Sequence, residues 1–150
     1  MDMSFDGPVD FDALDEETAQ VAHVDSDFCE VRYSTGEVDR FIRCLLPLPV
    51  PEIANEFCFG VWMSVSEASW NVYRDGFDTG SYGSPGCFGY LMHVIPEYEG
   101  SYLLHADVRF QSRLRPRVML HETDHPLYAA QRDGVDVRQV ERWVALTHRQ

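Results

Sequence analysis

The stretch that decides the fold is FCEVRYSTGEVDRFIRCLLPLPVPEIANEFCFGVWMSV, residues 28–65. From Phe28 to Tyr33 the side chains alternate, with Phe28, Glu30 and Arg32 on one face and Cys29, Val31 and Tyr33 on the other. That period of two marks a strand. Ser34-Thr35-Gly36 reads as a turn, and Val38 to Leu48 resumes as a second strand, which makes a hairpin. Pro47, Pro49 and Pro51 are expected to end it, because proline has no N–H for a sheet ladder. Glu56 to Val65 is a third strand. Its continuous apolar run through Phe57, Cys58, Phe59, Val61, Trp62 and Met63 suits a central position.

Downstream, Ser66 is placed to cap a helix that carries Glu67 in its first turn and stops near Gly76. Residues 79–86, rich in Gly and Ser, form a loop. Phe88 to Ile95 fits either a helix or a strand. Tyr102 to Phe110 alternates cleanly, and Arg117 to His121 is a short last strand. Asp124 is expected to cap a helix with Pro126 in its first turn and Gly134 at its end. Asp136 and Gln139 make a capping-box pattern for a final helix, Val137 to His148. The expected fold is α+β, a mostly antiparallel sheet flanked by helices in a single domain.

Upstream, the chain changes character. Residues 1–30 hold ten acids and no Arg or Lys, whereas the other 120 residues hold fifteen acids against twelve Arg. Residues 1–10 read as a loosely docked arm broken at Gly7-Pro8, and Asp12 to Val24 allows an acidic amphipathic helix. The division expected is an acidic N-terminal arm, residues 1–24, and an α+β domain, residues 25–150.

A net charge of −13 repels phosphate backbones, which argues against a nucleic-acid partner, and it speeds encounter with a basic protein. All twelve basic residues are Arg, so Schiff-base and Walker A lysine chemistry is excluded. No run approaches the roughly 20 apolar residues of a membrane-spanning helix. The first residues are acidic where a signal peptide is basic, and the expected location is cytoplasmic. Cys29, Cys44, Cys58 and Cys87 form no C-x-x-C pair and sit among apolar neighbours, as buried free thiols do.

His121-Glu122-Thr123-Asp124-His125 matches the zincin pattern H-E-x-x-H. Its context opposes zinc: Pro126 pushes His125 out of the α region, and Val118-Met119-Leu120 reads as a strand, so the two imidazoles need not share a helix face. Neither a metal nor a cofactor is expected. Arg113, Arg115 and Arg117 form the sole basic strip, able to hold an anion or to pair with acids on a solvated face.

Taken in order, Phe59-Gly60-Val61-Trp62-Met63-Ser64-Val65-Ser66, Phe88-Gly89-Tyr90-Leu91, Pro96-Glu97-Tyr98, Arg115-Pro116, Thr123-Asp124-His125-Pro126-Leu127 and Gln131-Arg132-Asp133-Gly134-Val135 resemble the bacterial domain-of-unknown-function 2199 family. The resemblance spans about residues 25–148. It implies a bacterial origin and a compact α+β fold, with no agreed activity. Many relatives begin with a C-x-x-C element suited to metal; this chain lacks it and has the acidic segment instead. The family pattern keeps Thr-Asp-His-Pro-Leu but not His121, which turns attention to Asp124 and His125.

Two functions follow as expectations. The first is a non-catalytic protein-binding domain, most concretely an immunity-type inhibitor that neutralises a toxin by acidic surface occlusion. Its contacts with a basic partner would come from Asp12, Asp15, Glu16, Glu17, Asp25 and Asp27, with Tyr33, Trp70 and Tyr82 as anchors. The second is a small-ligand-binding or hydrolytic domain that uses Asp124, His125 and the Arg113–Arg117 strip.

Overall fold

Residues 28–65 do fold as three antiparallel strands, and the rest of the sheet is assembled on them. In the computed structural model, which describes residues 2–5, 19–24 and 27–147, these strands are β3 (Phe28–Tyr33), β4 (Val38–Val50) and β5 (Asn55–Val65). β4 pairs with β5 along its length, from Arg40 opposite Val65 to Val50 opposite Asn55.

β4 does not stop at its prolines. The Pro47 carbonyl accepts from the Gln131 side chain and the Pro49 carbonyl from the Val135 N–H, so both prolines face away from β5. In a strand, a residue's N–H and C=O point to the same side. The missing N–H groups are therefore absent from the far edge, and the β4–β5 ladder loses nothing.

Next come helix α1 (Glu67–Gly76) and strands β6 (Gly86–Leu91), β7 (His105–Gln111) and β8 (Leu114–Leu120). Of Phe88 to Ile95, ambiguous in the sequence, the part Phe88 to Leu91 is thus strand. β5, β6, β7 and β8 are joined antiparallel in that order, and β8 returns to β4 in a parallel pairing at Leu45 and Arg117. The antiparallel sheet expected to lie between helices instead closes into a five-stranded barrel. Its inward side chains, among them Leu46, Phe59, Met63, Leu91, Val108 and Val118, are fully buried. The alternation that fixes inside and outside was visible locally. Closure was not, because it depends on β8 meeting β4, some 70 residues earlier in the chain.

Helices α2 (Pro126–Asp133) and α3 (Val137–Thr147) complete the core. Trp143 of α3 is fully buried against Phe57 and Phe59, at ring-centroid distances of 5.2 and 4.9 Å. Ser66 caps α1 by accepting from the Ser69 N–H, and Asp136 caps α3 by accepting from the Gln139 N–H. The Gln139 side chain does not close a capping box; it donates to the Tyr98 hydroxyl. At α2 the expected cap moves by one residue: Nδ1 of His125, not the Asp124 carboxylate, accepts from the Leu127 N–H.

The N-terminal expectations also change. Asp2–Ser4 is strand β1, parallel to Cys58–Gly60, where it covers a stretch of β5 that β6 does not reach. Ala19–Val24, expected as the end of a helix, is strand β2 and pairs with β3. The weak helical pattern yields to the open edge of β3, which offers a hydrogen-bond partner along the whole segment. The rest of the expected helix lies outside the described residues. The described pieces of the arm therefore belong to the same sheet as the domain.

Candidate functional site

Among the described residues, two places gather polar and aromatic side chains at the surface. The first is the outer wall of β6 and β7. Register sets Phe88 opposite Asp107 and Tyr90 opposite His105, and alternation turns all four outward. His121, just beyond β8, donates its backbone N–H to the His105 carbonyl and joins the same face. Phe88 packs edge-on against Tyr90 and His105 at 4.9 and 5.4 Å, and lies 5.5 Å from His121.

These are large rings left open: Phe88 is 42% exposed and Tyr90 39%. Asp107 holds Nε2 of His121 at 2.8 Å. Beside the rings, Gly86, Cys87, Asp107 and Arg109 help to line a depression of about 590 Å³. With Nε2 donating to Asp107, Nδ1 of His121 becomes a hydrogen-bond acceptor. Among the described residues no hydroxyl or thiol is hydrogen-bonded to that ring, so a nucleophile–base pair is not assembled. What the wall offers is exposed aromatic surface beside one carboxylate.

The second place is a cleft of about 410 Å³ between the end of α1 and the β7–β8 turn. Tyr73, Phe77 and Tyr82 line it on the aromatic side, and Asp27, Arg113, Leu114 and Arg115 on the other. Tyr73 and Tyr82 stack in parallel at 5.4 Å. Nε of Arg115 donates to Asp27 at 3.0 Å. Burial pushes both phenols above their ordinary pKa, which keeps their hydroxyls protonated.

A family model described as an uncharacterized protein conserved in bacteria, domain of unknown function 2199, matches residues 1–135. The chain belongs to this family. No curated protein and no solved structure matches it. The match starts at residue 1, so the acidic start, expected to fall outside the resemblance, lies within the matched range. Helix α3 lies beyond it.

In this member of the domain-of-unknown-function 2199 family, the structure brings Asp27, Tyr82, Arg113 and Arg115 of the residues singled out in the sequence together at the cleft and scatters the other described ones. Asp12, Asp15, Glu16, Glu17 and Asp25 lie outside the described residues. Asp27 is spent on Arg115, and the neighbouring acid Glu30 is buried between Arg32 and Arg40. Trp70, expected as an exposed anchor, is 4% exposed and packs edge-on against Phe28 inside the core. An apolar face at helical spacing was the ordinary reason for a Trp there. Tyr33 is half-buried with its hydroxyl donating to Asp39, whereas Tyr82 borders the cleft together with Asp27.

The ligand set of the second expectation divides. Arg113 and Arg115 stand at the start of β8, whereas Asp124 and His125 follow its end, about 20 Å away for a seven-residue strand. Arg117 pairs with Glu56. Both nitrogens of His125 are engaged, Nδ1 by the Leu127 N–H and Nε2 by the Glu99 carbonyl. In the H-E-x-x-H segment, then, His121 serves β7 and His125 serves a helix cap. Among the described residues no three metal-ligating side chains converge.

Sequence reasoning missed Phe88, Tyr90, His105 and Asp107. The signal was present: when Ala106 and Val108 face inward, His105, Asp107 and Arg109 must face outward. Only the inward half of that alternation was followed.

Proposed function

We propose that this chain is a non-catalytic protein-binding domain for a basic partner, and most concretely an immunity-type inhibitor that occludes the working surface of a bacterial toxin. The observation that carries the reading is the exposed ring wall of Phe88, Tyr90, His105 and His121 beside Asp107. Aromatic anchors next to a pocket are the chemistry of interface hot spots. An arginine of a partner would lie flat on one of the two rings, Phe88 or Tyr90, and reach the Asp107 carboxylate, which joins cation–π attraction to a charge-assisted hydrogen bond. The net charge of −13 favours the same kind of partner by steering its approach.

The test is capture from the native host, with Phe88→Ser/Tyr90→Ser as the comparison. The wild-type chain retains one basic protein, the double variant retains it at least about 10-fold less, and raising salt weakens capture. Expressing the captured protein alone arrests growth, and co-expressing this chain restores it. Retention indifferent to both the double variant and salt would sink the reading.

A further inference from the structure

We propose that the cleft between α1 and the β7–β8 turn is a binding site for a small planar monocarboxylate, a single ring bearing one carboxyl group. The cleft shares no residue with the ring wall, so this inference stands apart from the protein-binding reading.

The cation side of the cleft is built by the turn. β7 ends at Gln111 and β8 begins at Leu114, which leaves Ser112 and Arg113 to reverse the chain. Arg113 sits in the left-handed region at φ 61, an uncommon conformation for a non-glycine residue and one that surrounding structure must hold. Gly80 supplies that support. A Cβ on it would come within 2.8 Å of the Ser112 hydroxyl oxygen and 3.2 Å of Cγ of Arg113. The loop after α1 therefore runs close against the turn, with no room for a side chain at Gly80.

Arg113 and Arg115 both line the cleft with hydrogen-bonding capacity to spare. Among the described residues Arg113 has no salt-bridge or hydrogen-bond partner, and Arg115 is anchored through Nε alone. Its terminal amino groups remain for a ligand. A guanidinium fork matches a carboxylate in two parallel hydrogen bonds.

Across from them, the half-buried rings of Phe77 and Tyr82 suit a flat apolar body. A volume of about 410 Å³ is that of a small-molecule site. Asp27 decides the charge of the ligand. With this carboxylate in the lining and −13 on the whole chain, a polyphosphate meets repulsion that a single carboxylate directed at Arg113 avoids.

The experiment is calorimetric titration of the full chain with 4-hydroxybenzoate, acetate, phenol and inorganic phosphate, repeated on Arg113→Asn and Arg113→Lys. Asn removes the cation yet suits the left-handed backbone, so the fold is retained, which a thermal melt checks. Saturable binding of 4-hydroxybenzoate is expected, with acetate and phenol each at least about 10-fold weaker. Arg113→Asn should lose about 10-fold or more in affinity, and Arg113→Lys should fall between it and wild type because it keeps charge without the fork. No saturation by about 10 mM 4-hydroxybenzoate would overturn the proposal. So would equal binding by Arg113→Asn, or tighter binding of phosphate than of the ring carboxylate.

Discussion

His93 is 8% exposed, stacked on Phe5 at 4.1 Å, and Nε2 of its ring accepts the Trp62 N–H at 3.0 Å. Burial lowers its pKa from 6.5 to about 4, since charging it would strand a cation in the core. The neutral folded form then contributes stability that is fully present above the unfolded pKa and is lost as pH falls from 6.5 toward 4. Between pH 7 and 4.5 that linkage amounts to about 2 kcal/mol. His93→Gln, which keeps an acceptor for Trp62, should therefore lose about 2 kcal/mol less than wild type over that range in urea melts. Identical pH slopes would contradict the assignment. A second residue-scale expectation concerns Glu30, whose side chain is 11% exposed and held by Arg40 at 3.0 Å. Arg40→Met leaves a buried carboxylate with only the exposed Arg32 as partner, and should cost about 2–3 kcal/mol in denaturant melts. Neither pairing was legible in the sequence. Alternation placed Glu30 and Arg32 on one face, but Arg40 arrives through the register of the hairpin.

At the scale of elements, the seam of the barrel is held by one side chain of α2. β4 and β8 meet in register at Leu45 and Arg117, and beyond that point Pro47 and Pro49 offer no N–H to the seam. α2 fills the gap through Gln131. Its Oε1 accepts from the Leu120 N–H at 2.8 Å, while Nε2 donates to the carbonyls of Val118 and Pro47 at 2.8 and 3.2 Å. One side chain thus joins both strands. Gln131→Leu fits the space but strands buried backbone groups, and should destabilise by about 2–3 kcal/mol. A loss under about 0.5 kcal/mol would mean water replaces the clamp. Gly134 closes the same helix at φ 102, and a Cβ there would lie 2.7 Å from Cδ of Pro51 and 3.0 Å from the Pro49 carbonyl oxygen. Gly134→Ala should cost at least about 2 kcal/mol in the same melts. Its place after a helical run marked it as a stop signal; that it also touches the end of β4 was not readable from spacing.

For the whole molecule, the charge of −13 sets a field that both attracts basic partners and opposes folding by self-repulsion. Raising NaCl from about 10 to 300 mM screens that repulsion and should raise the melting temperature while weakening capture of a basic partner. A melting temperature that falls with salt would show that the described ion pairs outweigh the repulsion. By itself the sequence determined the charge, the absence of lysine chemistry, the three strands of residues 28–65, the caps at Ser66 and Asp136 and the stop at Gly134. These rest on composition or on neighbours within a few residues, where steric and hydrogen-bonding rules act locally. The tertiary structure decided that the sheet closes on itself, that Ala19–Val24 is strand, and that Trp70 is core. It also brought Asp27 and Arg115, 88 residues apart, into one cleft. Those outcomes depend on which distant strand edge or cavity completes each segment's hydrogen bonds and buries its apolar face. No local pattern encodes that choice.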